Sequence, residues 1–183
     1  MRFRFALIFL AAVSASACDD DLGVQPWDAT PDTIPLFSLS RTDLLGLPSA
    51  YDFVNRRQVE VEIPGSGGNW DVALGEANGQ LQLIPASAFD GQTSSRARIA
   101  TVTGTAFTAL DEAPSDTTRY TAQPVPLTVG GIYVVRSRRA ACGFTTASYY
   151  AKIQALTVSN ADGKATFAVV VNPFCDRSFV PPE

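Results

Sequence analysis

The sequence predicts an all-β fold, either an antiparallel β-sandwich or a small barrel of about eight strands. Three observations support this prediction. Apolar residues recur with a period of two, the segments with this period are short, and Gly, Pro, Asn and Asp separate them at close intervals. Because strand-like segments do not alternate with helix-like ones, we expect packed sheets without a layer of helices.

The first element of the predicted domain is a short helix. Ser40 to Leu47 is the one segment with a helical signal, with Ser40 as its N-cap and an acidic residue, Asp43, three positions later. Gly46 and Pro48 end it. The sequence therefore predicts at most two turns of helix before the strands.

Two strands and a hairpin follow. The segments 59–63 and 70–74 alternate apolar and polar residues, and we expect Trp70 in the core. Asn78 and Gly79 then turn the chain into a strand at 80–84, because both residues tolerate a positive φ.

The central part of the chain contains three further strand candidates, at 98–107, 120–129 and 132–136. Pro124 and Pro126 cannot donate hydrogen bonds to a neighbouring strand, which places the second candidate at a sheet edge or in an irregular stretch.

A second hairpin ends the domain. One strand runs from 149 to 158, the chain turns at 160–163, and a second strand returns over 164–171. Phe167, Val169 and Val171 fall on one face of that last strand, which predicts that this face is buried.

Residues 1–17 have the order of a secretory signal peptide. Arg2 and Arg4 begin it, an apolar run follows, and small residues precede Cys18. Phe5 to Ala17 comprises 13 uncharged residues. A membrane span needs about 20, so this segment is predicted to be a leader and not a transmembrane helix.

The end of the leader, Ala15-Ser16-Ala17-Cys18, resembles the lipobox of bacterial lipoproteins. That resemblance implies cleavage before Cys18, a diacylglycerol on its thiol and a further acyl chain, such as palmitate, on its amine. Several acyl chains anchor a protein stably, since one chain alone binds only marginally. Simple secretion without lipid is the alternative.

Three regions are expected along the chain: the signal peptide 1–17, the lipidated cysteine with a flexible tether over 18–35, and a single β-sandwich domain over 36–183. The tether is rich in Asp and Pro and lacks a regular hydrophobic period. The domain is long enough for one sizeable core.

Lipidation of Cys18 leaves Cys142 and Cys175 as an even pair in an exported chain, which favours a disulfide between them. Two buried free thiols are the alternative. A metal site is not expected, because the chain has no histidine and two thiolates alone are too few ligands.

Charge and composition exclude several functions. The chain has 14 basic and 18 acidic residues, and removal of Arg2 and Arg4 with the leader leaves a net charge of −6. An acidic chain of this kind is not expected to bind nucleic acid. Without histidine, Ser-His-Asp triads, Cys-His dyads and most zinc hydrolases are excluded.

Glu60 and Glu62 are the remaining candidates for catalysis. They lie two residues apart, on one face of a predicted strand, and paired carboxylates can hydrolyse glycosides. The simpler interpretation is a solvated strand face, so the protein is expected not to be an enzyme, and a carboxylate-dependent hydrolase is the alternative.

Arg136, Arg138, Tyr149 and Tyr150 form the candidate ligand-binding set. Arg136 and Arg138 are expected on one side of a strand, and arginines beside tyrosines can bind carboxylates, phosphates or sugars. The alternative is that these arginines solubilise a strand end and pair with nearby acids.

Several short segments carry a family resemblance: Tyr51-Asp52-Phe53, Asn69 to Leu74, Ile132 to Arg136 and Tyr150 to Gln154. Over residues 50 to 170 the chain resembles small uncharacterised bacterial β-rich lipoproteins and, more distantly, HmuY-type haem-binding lipoproteins. The resemblance implies an all-β fold. Those proteins bind haem through His or Met, which the mature chain lacks, so a haem site would need Tyr149 or Tyr150 as ligand.

The sequence therefore predicts a lipid-anchored, non-catalytic binding or interaction protein of the cell envelope, without a resident cofactor. Its expected partners are the membrane, through the lipid, and an envelope protein or small-molecule ligand. A carrier of haem or another small cofactor is the alternative. The outer membrane is favoured over the inner one, and the periplasmic or surface face is left open.

Overall fold

The computed structural model describes residues 29–61, 68–89, 95–178 and 180. These residues form β-strands joined by loops and short 3₁₀ turns, which confirms the predicted all-β class. The strands are β1 (Asp32–Phe37), β2 (Ala50–Asp52), β3 (Arg57–Val59), β4 (Val72–Ala77), β5 (Gln80–Pro85), β6 (Arg98–Val102), β7 (Val125–Pro126), β8 (Ile132–Arg136), β9 (Ala140–Cys142), β10 (Thr145–Ala147), β11 (Tyr150–Ser159) and β12 (Lys164–Val171).

Two five-stranded antiparallel sheets pack together, so the fold is a sandwich and not a closed barrel. Sheet 1 has the strand order β1-β12-β11-β8-β6, and sheet 2 has the order β3-β2-β4-β5-β7. A separate hairpin pairs β9 with β10.

The main core lies between the two sheets. Every second residue along each strand points inward, as the period of two predicts. Phe167, Val169 and Val171 all lie in this core, as expected from their shared face. The other large members are Ile34, Leu36, Tyr51, Phe53, Val72, Leu74, Leu81, Leu83, Ile99, Tyr133, Val135 and Ile153.

A cover segment, residues 103–120, lies over the outer face of sheet 1. Its apolar side chains pack with those of Ile132, Val134 and Val170 from that face. The fully buried Lys152 fastens the segment, because its Nζ donates hydrogen bonds to the carbonyl oxygens of Phe107 and Leu110, at 2.9 and 3.2 Å. The outer face of sheet 1 is therefore largely shielded from solvent.

The two predicted hairpins are present. Asn78 and Gly79 have positive φ values of 53° and 72° and join β4 to β5, and β11 pairs with β12 along most of its length. The strand at 132–136 also has its predicted bounds. Trp70 is buried, as expected, and packs edge-on against Phe89 outside sheet 2.

Four predicted elements differ from the structure. The helix at Ser40–Leu47 is only a 3₁₀ turn over Thr42–Leu44, and the Ser40 hydroxyl instead accepts a hydrogen bond from the Glu76 amide. The strand predicted at 59–63 ends at Val59, since the chain leaves the sheet there. The candidates at 98–107 and 120–129 shrink to β6 and the two-residue β7.

The signal peptide, Cys18 and most of the tether lie outside the described residues. Residues 32–35, assigned to the tether above, form the first part of β1 and pair with β12. Within the described ranges, no helix has the length and apolar character that crossing a bilayer requires.

Strand directions place eight arginines at one end of the sandwich. Strands β2, β5, β8 and β12 finish at this end, while β1, β3, β4, β6 and β11 begin there. We call it the arginine end because it holds Arg56, Arg57, Arg96, Arg98, Arg136, Arg138, Arg139 and Arg177.

Candidate functional site

One predicted site residue, Arg138, belongs to a buried ion cluster that joins the two sheets. Its guanidinium contacts the carboxylates of Asp52 at 2.9 Å and Asp71 at 3.0 Å, and its backbone amide donates to Asp71 at 2.7 Å. Both aspartates are fully buried and belong to sheet 2, whereas Arg138 follows β8 of sheet 1. Arg138 is thus occupied by protein carboxylates.

The two aspartates of this cluster respond differently to their surroundings. Burial raises the pKa of Asp71, although the charge and amide of Arg138 and the amide of Phe53 oppose the rise. Burial acts in the same direction at Asp52, but hydrogen bonds from Asn55 and the charge of Arg138 prevail and lower the pKa of that carboxyl. The cluster therefore includes one carboxylate held firmly in its ionised form.

Arg136 lies elsewhere, in a row of side chains on the outer face of sheet 1. Arg136 stands opposite Arg98 on β6 and opposite Tyr150 on β11. Side chains directly opposite on antiparallel strands are close, with Cβ atoms about 5 Å apart. Like charges in such positions repel, and neither arginine forms an ion pair with a carboxylate of the described residues.

Tyr120 completes this group from the end of the cover segment. Its ring packs edge-on against that of Tyr150, with centroids 6.4 Å apart. A backbone bridge between Thr121 and Ile99 fixes the position of Tyr120 beside β6. We call Arg98, Arg136, Tyr120 and Tyr150 the arginine–tyrosine cluster.

Polar atoms of this cluster are buried without partners. The Nε of Arg136 and the hydroxyl of Tyr120 are both inaccessible to solvent and have no hydrogen-bond partner among the described residues. The hydroxyl of Ser148, two residues before Tyr150, is in the same situation. Each such group costs about 1–3 kcal/mol of stability if nothing binds it.

The pKa of the Tyr120 hydroxyl reflects its burial beside Tyr150 and Arg136. Burial raises the pKa of its hydroxyl, Tyr150 adds to the rise, and the positive charges of Arg136 and Arg119 oppose it. The hydroxyl therefore stays protonated at neutral pH and is available as a hydrogen-bond donor.

Arg98 has a different set of partners within the cluster. Its Nη1 donates to the hydroxyl of Ser87 at 2.8 Å and to the carbonyl of Ala97 at 2.7 Å. These neutral acceptors fix the guanidinium in place and leave its charge unneutralised. The cluster thus combines two positive charges, one of them fixed in place, with a buried hydroxyl donor, which is the chemistry that binds carboxylates and phosphates.

The structure does not bring the four predicted ligand-binding residues together. Arg136 and Tyr150 belong to the arginine–tyrosine cluster, whereas Arg138 belongs to the ion cluster. The Tyr149 side chain falls on the opposite side of the strand from Tyr150, and its hydroxyl lies 3.5 Å from the Ala141 carbonyl oxygen.

Two members of the cluster, Arg98 and Tyr120, were not found from the sequence. Arg98 became a candidate only with the pairing of β6 and β8, which no local pattern reveals. Tyr120 arrives through a long irregular segment whose path depends on tertiary contacts. The one sequence signal for Arg98 was that arginines occur at the ends of several separate strands, which suggests that they could meet at one end of a sheet.

The other predicted sites give the following picture. The sulfurs of Cys142 and Cys175 lie at disulfide-bonding distance, with Cα atoms 6.1 Å apart. Glu60 follows the end of β3, and Glu62 lies outside the described residues, so their pairing stays a prediction. No group of three metal-ligating side chains occurs in the described part of the chain.

A shallow groove of about 500 Å³ lies on the outer face of sheet 1, between the cover segment and β1. It is lined by Pro31, Thr33, Ala106, Phe107, Thr108, Gln154, Leu156 and Ala168. Because none of these side chains is charged, the groove has no group that would select a charged ligand.

Comparisons with protein-family models, with curated proteins and with solved structures find no match to this chain.

Proposed function

We propose that this chain is a lipid-anchored, non-catalytic binding protein of the bacterial cell envelope that takes a small oxyanion at the arginine–tyrosine cluster. The observation that carries the proposal is the pair of buried, unpartnered donors, Arg136 Nε and the Tyr120 hydroxyl, beside two arginines in register. Because both donors are inaccessible to solvent, the side chains of the cluster would have to move apart to admit a carboxylate or phosphate. The bound anion would then accept hydrogen bonds from these groups and offset the repulsion between Arg98 and Arg136.

The anchoring part of the proposal is supported by the leader and the lipobox-like ending at Cys18. Acyl chains there would keep the domain at a membrane of the envelope, with the outer membrane favoured. The binding part is supported by the residues of the cluster and by the absence of histidine, which leaves few means of catalysis.

Calorimetric titration of the mature chain with inorganic phosphate and with citrate tests the binding. We expect saturable binding that weakens as salt is added, because the contact is charged. Arg136→Gln should weaken it about tenfold or more, since a hydrogen-bonded charge typically contributes at least 1.5 kcal/mol. Tyr120→Phe should weaken it by a smaller factor.

Arg139→Gln is the matched control. Arg139 is an exposed arginine of the same end that lies outside the cluster and donates to the Thr146 carbonyl. Its substitution should leave binding unchanged. If neither anion binds, or if the Arg136 and Arg139 variants weaken binding equally, the cluster is not a specific site and the proposal is wrong.

A further inference from the structure

The arginine end carries a second feature that the proposed ligand site does not use. Phe144, at the tip of the β9–β10 hairpin, is fully exposed, with a relative accessibility of 110%. Phe174, which precedes Cys175, is also exposed, at 37%. The Cys142–Cys175 pair ties this hairpin to the segment after β12, so both rings are held at the same end.

The hairpin is held firmly although its tip is exposed. β9 and β10 pair over three residues, and Arg139 bonds across the hairpin to the carbonyl of Thr146. Gly143 has a positive φ of 59°, as the tight turn before Phe144 requires. The exposed ring is therefore carried on a paired, cross-linked turn, which fixes its position at this end.

Charge distinguishes this end from the opposite one. Of the 12 basic residues after the leader, eight are the arginines of the arginine end. Among the described residues, Asp32, Asp52, Asp71 and Asp176 lie with them, and Asp52 and Asp71 are buried in the ion cluster. Asp111 and Glu112 also approach this end, because the Asp111 carbonyl and the Glu112 carboxylate accept hydrogen bonds from Val180 and Ser178. At the opposite end, the described residues include two basic ones, Arg41 and Lys164, beside the acidic residues Asp43, Glu60, Glu76 and Asp162.

The chain also enters the sandwich at the arginine end. The first residue of β1, Asp32, pairs with Val169 near the end of β12, and Ala29 packs beside the outer face of sheet 1. Only 13 residues separate Cys18 from Asp32. A chain of that length spans at most about 45 Å, so an anchor at Cys18 keeps this end near the membrane.

We infer that the arginine end docks on an anionic phospholipid surface, with Phe144 inserted at the interface and the exposed arginines facing the lipid phosphates. Aromatic rings favour the membrane interface, and arginines near an anionic surface are attracted to it. The inference rests on the proposed anchoring, because the tether is what brings this end to the bilayer.

Site-specific fluorescence quenching tests the docking. The full protein, expressed with its own leader, is purified from membranes and reconstituted in vesicles of phosphatidylethanolamine and phosphatidylglycerol that contain brominated lipid. Trp27→Phe serves as the background, so that only the buried Trp70 contributes emission. Phe144→Trp then reports on the hairpin tip. Val129→Trp is the control, because Val129 is also exposed, at 67%, but lies before β8 at the opposite end.

We expect brominated lipid to lower the emission added by Phe144→Trp about twofold, and that added by Val129→Trp hardly at all, because only the first ring reaches the interface. Replacing Arg139 and Arg177 by Glu should reduce the quenching at position 144. Equal quenching at the two positions overturns the inference. It is also overturned if the emission of Phe144→Trp changes only when envelope protein is added, which would assign the surface to a protein partner.

Intact mass and flotation with the vesicles distinguish a failure of the proposed docking from a failure of the proposed lipid anchoring. A chain without acyl chains would fail to float with the vesicles, which would contradict the proposed anchoring. A chain that is acylated and floats, but shows no difference between positions 144 and 129, contradicts only the docking.

Discussion

At the residue scale, the ion cluster of Arg138, Asp52 and Asp71 carries the contact between the two sheets at the arginine end. A buried charge that loses its partner keeps its desolvation cost without the compensating attraction. Since both aspartates are fully buried, Arg138 is needed to hold them there.

We therefore expect Arg138→Met to lower the free energy of unfolding by about 3–5 kcal/mol. Urea denaturation followed by circular dichroism measures this change. Arg139→Met, next along the chain and exposed, should change stability by no more than about 0.5 kcal/mol. Equal effects of the two substitutions would contradict a structural role of the ion cluster.

The lowered pKa of Asp52 predicts a pH dependence of stability. A carboxyl whose pKa is lower in the folded than in the unfolded state stabilises the fold above its unfolded pKa, about 3.9, and this contribution is lost as the pH falls through the folded pKa. Asp52→Asn should remove that part of the acid destabilisation. In urea titrations from pH 7 to pH 2, the Asp52→Asn variant should lose stability less steeply than the wild-type protein below about pH 4. An unchanged slope would contradict the lowered pKa.

Only part of the site could be predicted at this scale. Arg136 and Tyr150 could be named because they stand at the ends of strands with clear periodicity. Arg138 belongs to the same sequence cluster, but its partners Asp52 and Asp71 come from the other sheet. Which arginine meets a carboxylate is decided by sheet packing, and the local sequence does not specify it.

At the element scale, the cross-link between Cys142 and Cys175 stabilises the hairpin that carries Phe144. Closing a loop with a sequence separation of 33 removes entropy from the unfolded chain. Replacing both cysteines by Ala should lower the free energy of unfolding by about 3–4 kcal/mol. Chemical denaturation of the two proteins without reductant checks this. If the double variant is as stable as the wild-type protein, and the wild-type protein loses no stability on reduction, the cross-link does not contribute to stability.

The buried Lys152 adds hydrogen bonds to the apolar packing that holds the cover segment. Lys152→Met should leave the carbonyls of Phe107 and Leu110 without this donor and lower stability by about 1–3 kcal/mol. Amide hydrogen exchange should accelerate over residues 107–113. Lys164→Met is the control, because Lys164 is exposed, and it should leave that exchange unchanged. Unchanged exchange in the Lys152 variant would show that other contacts hold the segment.

Strands with strong alternation were predictable, and the short ones were not. The strands at 80–84, 132–136 and 164–171 follow from their period and turns, because each has five or more residues on a half-buried surface. Strands β2, β3, β7, β9 and β10 have two or three residues each, too few for a period to show. Their pairing is imposed by the neighbouring long strands.

At the scale of the whole molecule, an acidic chain carries eight of its 12 basic residues after the leader at one end. The net charge of −6 that the chain would have without its leader argues against a nucleic-acid partner, yet it conceals the arginine end, because composition has no spatial information. Strand direction supplies that information: arginines far apart in sequence meet where β6 begins and β8 finishes.

The most direct test of the account is a nuclear magnetic resonance titration that follows the arginine Nε–Hε signals of the mature protein with phosphate and with citrate. The account predicts that the Arg136 signal shifts and saturates, that Arg98 shifts with it, and that Arg139 does not respond. Small, non-saturating shifts of all exposed arginines alike would show only general screening of charge and would contradict a specific oxyanion site.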